Sequence, residues 1–136
     1  MQTPKEVLQA WVDALNARDA HQAAALYHED ATNIQVASDV PIYGRQAILE
    51  DFVAFFRAFP DSYTHVENLF EDGEGAIIEW IGGGTFQGEF AGIAPSGKTF
   101  TLRGCGFFQV KDGKIQFQRG YWDKASWFKQ VGIPMD

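Results

Sequence analysis

Two long segments of alternating apolar and polar residues, Thr99–Val110 and Lys114–Trp122, flank the turn Lys111-Asp112-Gly113. Asp-Gly between β-rich runs is among the strongest short-range signals for a hairpin. A loop holding Gly92, Pro95, Ser96 and Gly97 leads into the first of these strands. The sheet begun by this hairpin has a face that must be covered, and the chain before it is patterned to do so.

Thr3 can cap a first helix with Pro4 at its first position, and Val7, Leu8, Trp11, Val12 and Leu15 then recur at helical spacing. Asp19 can cap a short, Ala-rich second helix over Ala20–Tyr27, ended by His28-Glu29-Asp30. Ala31–Val36 reads as a short strand and Ser38–Tyr43 as a loop. A third helix starts at Gly44-Arg45-Gln46 and carries Ile48, Phe52, Phe55, Phe56 and Phe59 on one apolar stripe before Pro60 stops it. Tyr63–Phe70 and Ala76–Ile81 are strands around an Asp72–Gly75 turn, and Gly82-Gly83-Gly84 is expected to kink or bulge the second. Asp123 caps a short helix to Gln130, ended by Gly132 and Pro134.

Three helices followed by a curled antiparallel sheet make an α+β domain, expected to span residues 1–136 as one unit. A bent sheet wrapped around a long helix makes a cone with one open mouth, suited to one small ligand. Twelve Phe and four Trp suit an aromatic core, an aromatic-lined cavity, or both. The net charge of −7, with no basic face visible in the sequence, argues against nucleic acid as a partner and disfavours anionic membranes. A lone Cys105, no apolar run of membrane-spanning length and no signal-peptide core lead to the expectation of a cytoplasmic protein. His21, His28 and His65 lack metal-ligand spacing, so neither metal nor cofactor is expected.

Residues 1–32, with VDALNARD and ALYHEDAT, resemble the start of the ketosteroid isomerases. GEFAGIAPSGKTFTLRGCGFFQVKDGKIQFQRGYWD resembles the SnoaL-like polyketide cyclases. Both groups belong to the nuclear transport factor 2-like superfamily, as do the limonene epoxide hydrolases. The resemblance covers nearly the whole chain and implies a cone-shaped, cystatin-like fold with three N-terminal helices on a curved mixed or antiparallel sheet. It implies no single activity, because a shared fold hosts many. The isomerases' helix-1 Tyr, general base and oxyanion-hole Asp fall on Trp11, Gln35 and near Gly106. The Arg-x-Asp pair of the epoxide hydrolases becomes Arg103-Gly104-Cys105, and the last-strand acid of hydrolases and cyclases falls near Gly120.

Strand faces carried over from the resemblance point Leu102, Gly104, Gly106 and Phe108 inward, with Gln116, Gln118, Gly120 and Trp122. The same parity points Ile77, Glu79 and Ile81 inward. Glu79 is then the candidate acid or base, a carboxylate in an apolar wall; the other reading pairs it with an Arg or exposes it. Gln35, Gln118 and Tyr43 are candidates to orient ligand oxygens, and Trp11, Phe52, Phe56, Phe108 and Trp122 candidate apolar walls. Asp123 reads as a helix cap and Cys105 as a buried structural thiol. Ile78, Trp80, Phe107, Phe117 and Tyr121, with Arg103 and Arg119, are assigned to an outer face expected to be covered by a second copy. The leading expectation is a small-molecule enzyme acting on a polyketide, terpenoid or steroid-like ligand by isomerisation, cyclisation or elimination. The alternatives are a non-catalytic ligand-binding protein and an epoxide hydrolase with a rearranged acid set.

Overall fold

The computed structural model describes residues 2–38 and 40–135; Met1, Asp136 and Asp39 of the Ser38–Tyr43 loop lie outside them. Helices α1 (Pro4–Asn16) and α2 (Ala20–Ala24) precede strand β1 (Tyr27–Gln35) and the short β2 (Ile42–Tyr43). Helix α3 (Arg45–Ala58) follows, then β3 (Tyr63–Asp72), β4 (Gly75–Thr85), β5 (Thr99–Lys111), β6 (Lys114–Trp122) and α4 (Lys124–Val131). The strands form one sheet in the order β2-β1-β6-β5-β4-β3. Only β1 and β6 pair in parallel, which makes the sheet mixed.

The starts of α1, α2 and α4 follow from a polar side chain that satisfies an otherwise unpaired backbone N–H, whereas α3 begins at Gly44 with no side-chain cap. The Glu6 amide donates to Thr3 Oγ1 (3.2 Å) while the Thr3 amide donates to Glu6 Oε1 (2.9 Å), a reciprocal capping box. Asp19 accepts from the Gln22 amide and Asp123 from the Ser126 amide. Asp123 is thus a cap, as its sequence position predicts. Helix α2 is shorter than its alanine content suggests. The chain turns into β1 at Tyr27, and His28, Glu29 and Asp30 lie in that strand rather than ending a helix.

The hairpin between β5 and β6 closes where expected, with Asp112 at φ 51° and Gly113 at φ 78°. Both central residues therefore adopt the left-handed conformation that Asp-Gly tolerates best. The glycine run in β4 does not bulge. Gly82, Gly83 and Gly84 pair in unbroken register with Leu102, Thr101 and Phe100. Register shifts fall instead between Val66 and Asn68 in β3, and between Gln109 and Val110 in β5 where it meets β6.

That register fixes the faces, because directly paired residues of an antiparallel ladder share a side. Ile78 pairs with Gly106 and Trp80 with Gly104, while Glu79 pairs with Cys105. Ile78 is fully buried, Ile77 is 51% exposed and Glu79 is exposed. The parity expected for β4 is therefore reversed: Ile78 and Trp80 point inward, and Ile77, Glu79 and Ile81 share the outer face. Cys105 is exposed on that face rather than buried. The β6 parity also fails at one point. The register shift turns Gln116 away, where its amide donates to Asp30 Oδ1 (3.1 Å), and buries Ile115 instead.

Helix α1 packs on β3, β4 and β5, and α3 on β1 and β2. Two apolar clusters result. One joins α1, β1 and the centres of β4 to β6 through Leu8, Trp11, Tyr27, Ile78 and Phe108. The other joins the end of α3 to α4 through Phe59, Phe86, Phe100, Trp127 and Val131. Trp80 packs against both. Its indole lies over Gly104, where a Cβ would meet Trp80 Cζ2 and sit 2.8 Å from both Trp80 Cε2 and the Tyr121 carbonyl. Gly104→Ala is expected to lower unfolding free energy by about 1–3 kcal/mol through overpacking. Urea denaturation measures this, and an unchanged midpoint would contradict the assigned close approach.

Candidate functional site

Between the sheet and helices α1, α3 and α4 lies a cavity of about 610 Å³. Its lining includes Trp11 of α1, Phe52 and Phe56 of α3, and Phe108 of β5. Gln35, Gln118 and Trp122 reach it from β1 and β6. All of these were singled out from the sequence. The ring of Trp11 meets Phe108 edge-on at 5.0 Å, and Phe52 stacks on Phe56 at 5.9 Å, so the walls are interlocked aromatics. Trp80, Phe100, Leu102 and Trp127 complete the apolar surface.

Two of the expected residues are elsewhere. Tyr43 is 69% exposed in the short edge strand β2 and does not line the cavity. Glu79 lies on the opposite side of the sheet, where its Oε1 accepts from the Asn68 amide (2.7 Å). It has no route into the cavity through its own strand. The catalytic assignment of Glu79 therefore fails on geometry.

Polar order inside the cavity comes from two relays, each started by an indole. Trp11 Nε1 donates to the Tyr27 hydroxyl (3.0 Å), and that hydroxyl donates to Gln118 Oε1. An indole N–H can only donate, so the phenol oxygen accepts from it and sends its own proton onward. Gln118 must then present its carbonyl to Tyr27, which leaves its Nε2 amide without a partner among the described residues on a side chain that lines the cavity. Tyr27 is fully buried, and burial pushes its phenol well above the ordinary range. In the second relay Trp122 Nε1 donates to Gln35 Oε1 (2.8 Å), and Gln35 Nε2 donates to Asn33 Oδ1 (2.7 Å). Gln35 crosses the position where a Cβ on Gly120 would stand, meeting its carboxamide oxygen and lying 2.9 Å from its Cδ. Glycine at 120 thus makes room for Gln35, whose two ends are engaged in holding Trp122 and Asn33 together.

Asp51 is the residue that sequence reasoning missed. Among the described residues lining the cavity it is the only carboxylate. It forms no hydrogen bond or salt bridge to another described residue. Its carboxyl keeps access to solvent, yet the aromatic wall desolvates it enough to raise its pKa above the usual carboxylate value. Its charge is also felt by Tyr27, where it adds to the rise caused by burial. Helical spacing carried the signal: Asp51 stands three residues after Ile48 and four before Phe55, on the flank of the α3 stripe. Among the described residues, no group of three His, Cys, Asp or Glu side chains gathers to hold a metal ion. Among the described residues, no helix is long and apolar enough to cross a membrane.

A family model for the SnoaL-like polyketide cyclases matches residues 5–131. A candidate SnoaL-like polyketide cyclase from Jannaschia sp. CCS1 superposes with a TM-score of 0.86 at 20% identity, covering 97% of this chain and 93% of that one. IdmH, a candidate polyketide cyclase from Streptomyces antibioticus, gives a TM-score of 0.80 at 23% identity over 96% of this chain and 99% of that one. An LEH-like epoxide hydrolase from M. tuberculosis gives 0.76 at 19% identity over 94% and 88% respectively. At such identities the likeness to these structures is one of fold.

Tyr27→Phe would leave Trp11 Nε1 and Gln118 Oε1 without their shared partner. A loss of about 1–3 kcal/mol for each unpaired group is expected in chemical denaturation. A variant as stable as the parent would show that the relay does not hold these side chains.

Proposed function

Because the chain belongs to the SnoaL-like polyketide cyclase family, we propose that the protein is a small-molecule enzyme whose proton-transfer group is Asp51. The observation that carries this is the placement of one carboxylate, partly desolvated and unpaired among the described residues, in the wall of a cavity lined mainly by aromatic and aliphatic side chains. A carboxylate with a raised pKa is a better base toward a carbon acid than an ordinary one, and it can return the proton as an acid. The unpartnered Nε2 of Gln118 suits the oxygen on which negative charge develops when a proton leaves the carbon beside a carbonyl. Isomerisation, cyclisation and elimination can each begin with that step. The ligand class supported is apolar, ring-bearing and oxygenated, such as a polyketide, terpenoid or steroid-like molecule, in keeping with the aromatic walls. A reading as a non-catalytic binder draws on Gly106 and Gly120, which stand where the resemblance places acids.

A panel of cyclic ketones, enones and epoxides assayed with the parent protein and Asp51→Asn tests the proposal. The parent is expected to turn over a ketone or enone, with kcat rising along a limb centred above the ordinary carboxylate range. Asp51→Asn should lose about 10²–10⁴-fold and that limb with it. Equal turnover by both proteins would remove Asp51 from the mechanism. Binding without turnover would favour the non-catalytic reading, and turnover confined to epoxides would favour water as the species that Asp51 activates.

The stability of the same variant has a defined sign. An acid whose folded-state pKa is raised favours the fold only while protonated. That contribution is lost as pH rises from the unfolded carboxylate value, about 4, through the raised folded one. At neutral pH the ionised carboxylate is a burden that Asn removes. Asp51→Asn is therefore expected to melt no lower than the parent at pH 7, with any gain vanishing below about pH 4. A marked drop in thermal midpoint would instead mark Asp51 as structural.

The outer face of the sheet supports a homodimer as part of this proposal. Ile77 and Tyr121 are exposed there, and Arg119 lies 5.6 Å and 5.2 Å from the rings of Phe107 and Phe117. Ile78 and Trp80 are not part of that face. Sedimentation is expected to show a dimer at micromolar concentration, and a monomer would refute it.

A further inference from the structure

Lys124 is the only cation among the described residues that line the cavity. It makes no salt bridge to any described residue, although the chain carries 18 acidic residues against 11 basic ones. Its neighbour in sequence does not neutralise it, because the Asp123 carboxylate accepts from the Ser126 amide as the cap of α4. Its ammonium lies 5.4 Å from the centre of the Phe128 ring, one turn along the same helix.

The position is unfavourable for a cation by local rules. Lys124 is the first residue of α4, where the helix dipole favours negative charge and disfavours positive. Residues that break a local preference without a compensating partner in the fold are found where function demands them. Solvent could satisfy the ammonium, and the Phe128 ring holds it in place. That arrangement keeps a single positive charge at the wall of an apolar cavity, in a protein of net charge −7.

We propose that Lys124 recognises a carboxylate carried by the ligand, so that the cavity takes an apolar, ring-bearing molecule with an acidic arm. This rests on reading the cavity as the substrate site. It narrows the ligand class from oxygenated hydrocarbons in general to those that are anionic at neutral pH. A charge-assisted contact from the Lys124 ammonium supplies selectivity that the aromatic walls cannot, since they bind a neutral analogue equally well.

A matched pair of fluorescent probes tests this: pyrenebutyric acid and pyrenebutanol, titrated at neutral pH and low salt. The parent protein is expected to bind the acid about five- to tenfold more tightly than the alcohol. Added salt should narrow that gap. Lys124→Gln should bind both probes alike, with affinity for the alcohol unchanged, and Lys124→Glu should prefer the alcohol. The same preference for the acid in Lys124→Gln, or none in the parent, overturns the assignment while leaving the cavity as a ligand site. Failure of both probes to bind the parent overturns the cavity reading and this assignment together.

Discussion

The indole of Trp80 occupies the space that any side chain at residue 104 would need, and much of the molecule is arranged around that exchange. Trp80 contacts both apolar clusters and lines the cavity between them. A side chain on Gly104 would push the indole off β5 and into the cavity, or separate β4 from β5 where their pairing is continuous. The strand register that seats Trp80 also sends Glu79 to the other face. The same constraint that builds the cavity thus empties its β4 wall of acids.

The sheet positions where relatives are expected to carry acids hold glycine here, and the structure shows what one of them does instead. Gly120 is passed over by Gln35, whose carboxamide bridges Trp122 and Asn33. Polar order on the sheet side is neutral throughout, built of amides, indoles and a phenol. Among the described lining residues, the carboxylate and the ammonium lie on helices, Asp51 on α3 and Lys124 at the start of α4. Charge in this cavity therefore sits on the helices that face the sheet rather than on the sheet itself.

Much of this was readable in the residues. The caps Thr3, Asp19 and Asp123, the Asp-Gly hairpin and the alternation of β5 each have a local physical cause, so they survive into the fold. The aromatic walls were legible for the same reason, since a stripe of Phe on α3 must face something apolar. The parity of β4 was not legible. In Ala-Ile-Ile-Glu-Trp-Ile both faces carry large apolar residues, so alternation cannot choose between them, and the choice depends on register with β5. The glycine run suggested a bulge that the pairing does not contain, while the actual register shifts fall at residues with no glycine signal. Asp51 was hidden by its neighbours: an acid beside a phenylalanine stripe reads as the solvated flank of a helix until the opposing sheet shows how far the cavity reaches.

The direction of the Trp11–Tyr27–Gln118 relay has a consequence for how the cavity responds to its surroundings. Its first member cannot give up its donor role, and its middle member holds its proton far beyond neutrality. Gln118 has no ionisable group at all. The inner end of the cavity is therefore acid–base silent, offering the same N–H to a ligand oxygen whether the medium is mildly acidic or mildly alkaline. If the proposed function holds, a pH response of ligand handling is expected from outside this relay, and the group that reads an oxygen is separate from the group that moves a proton.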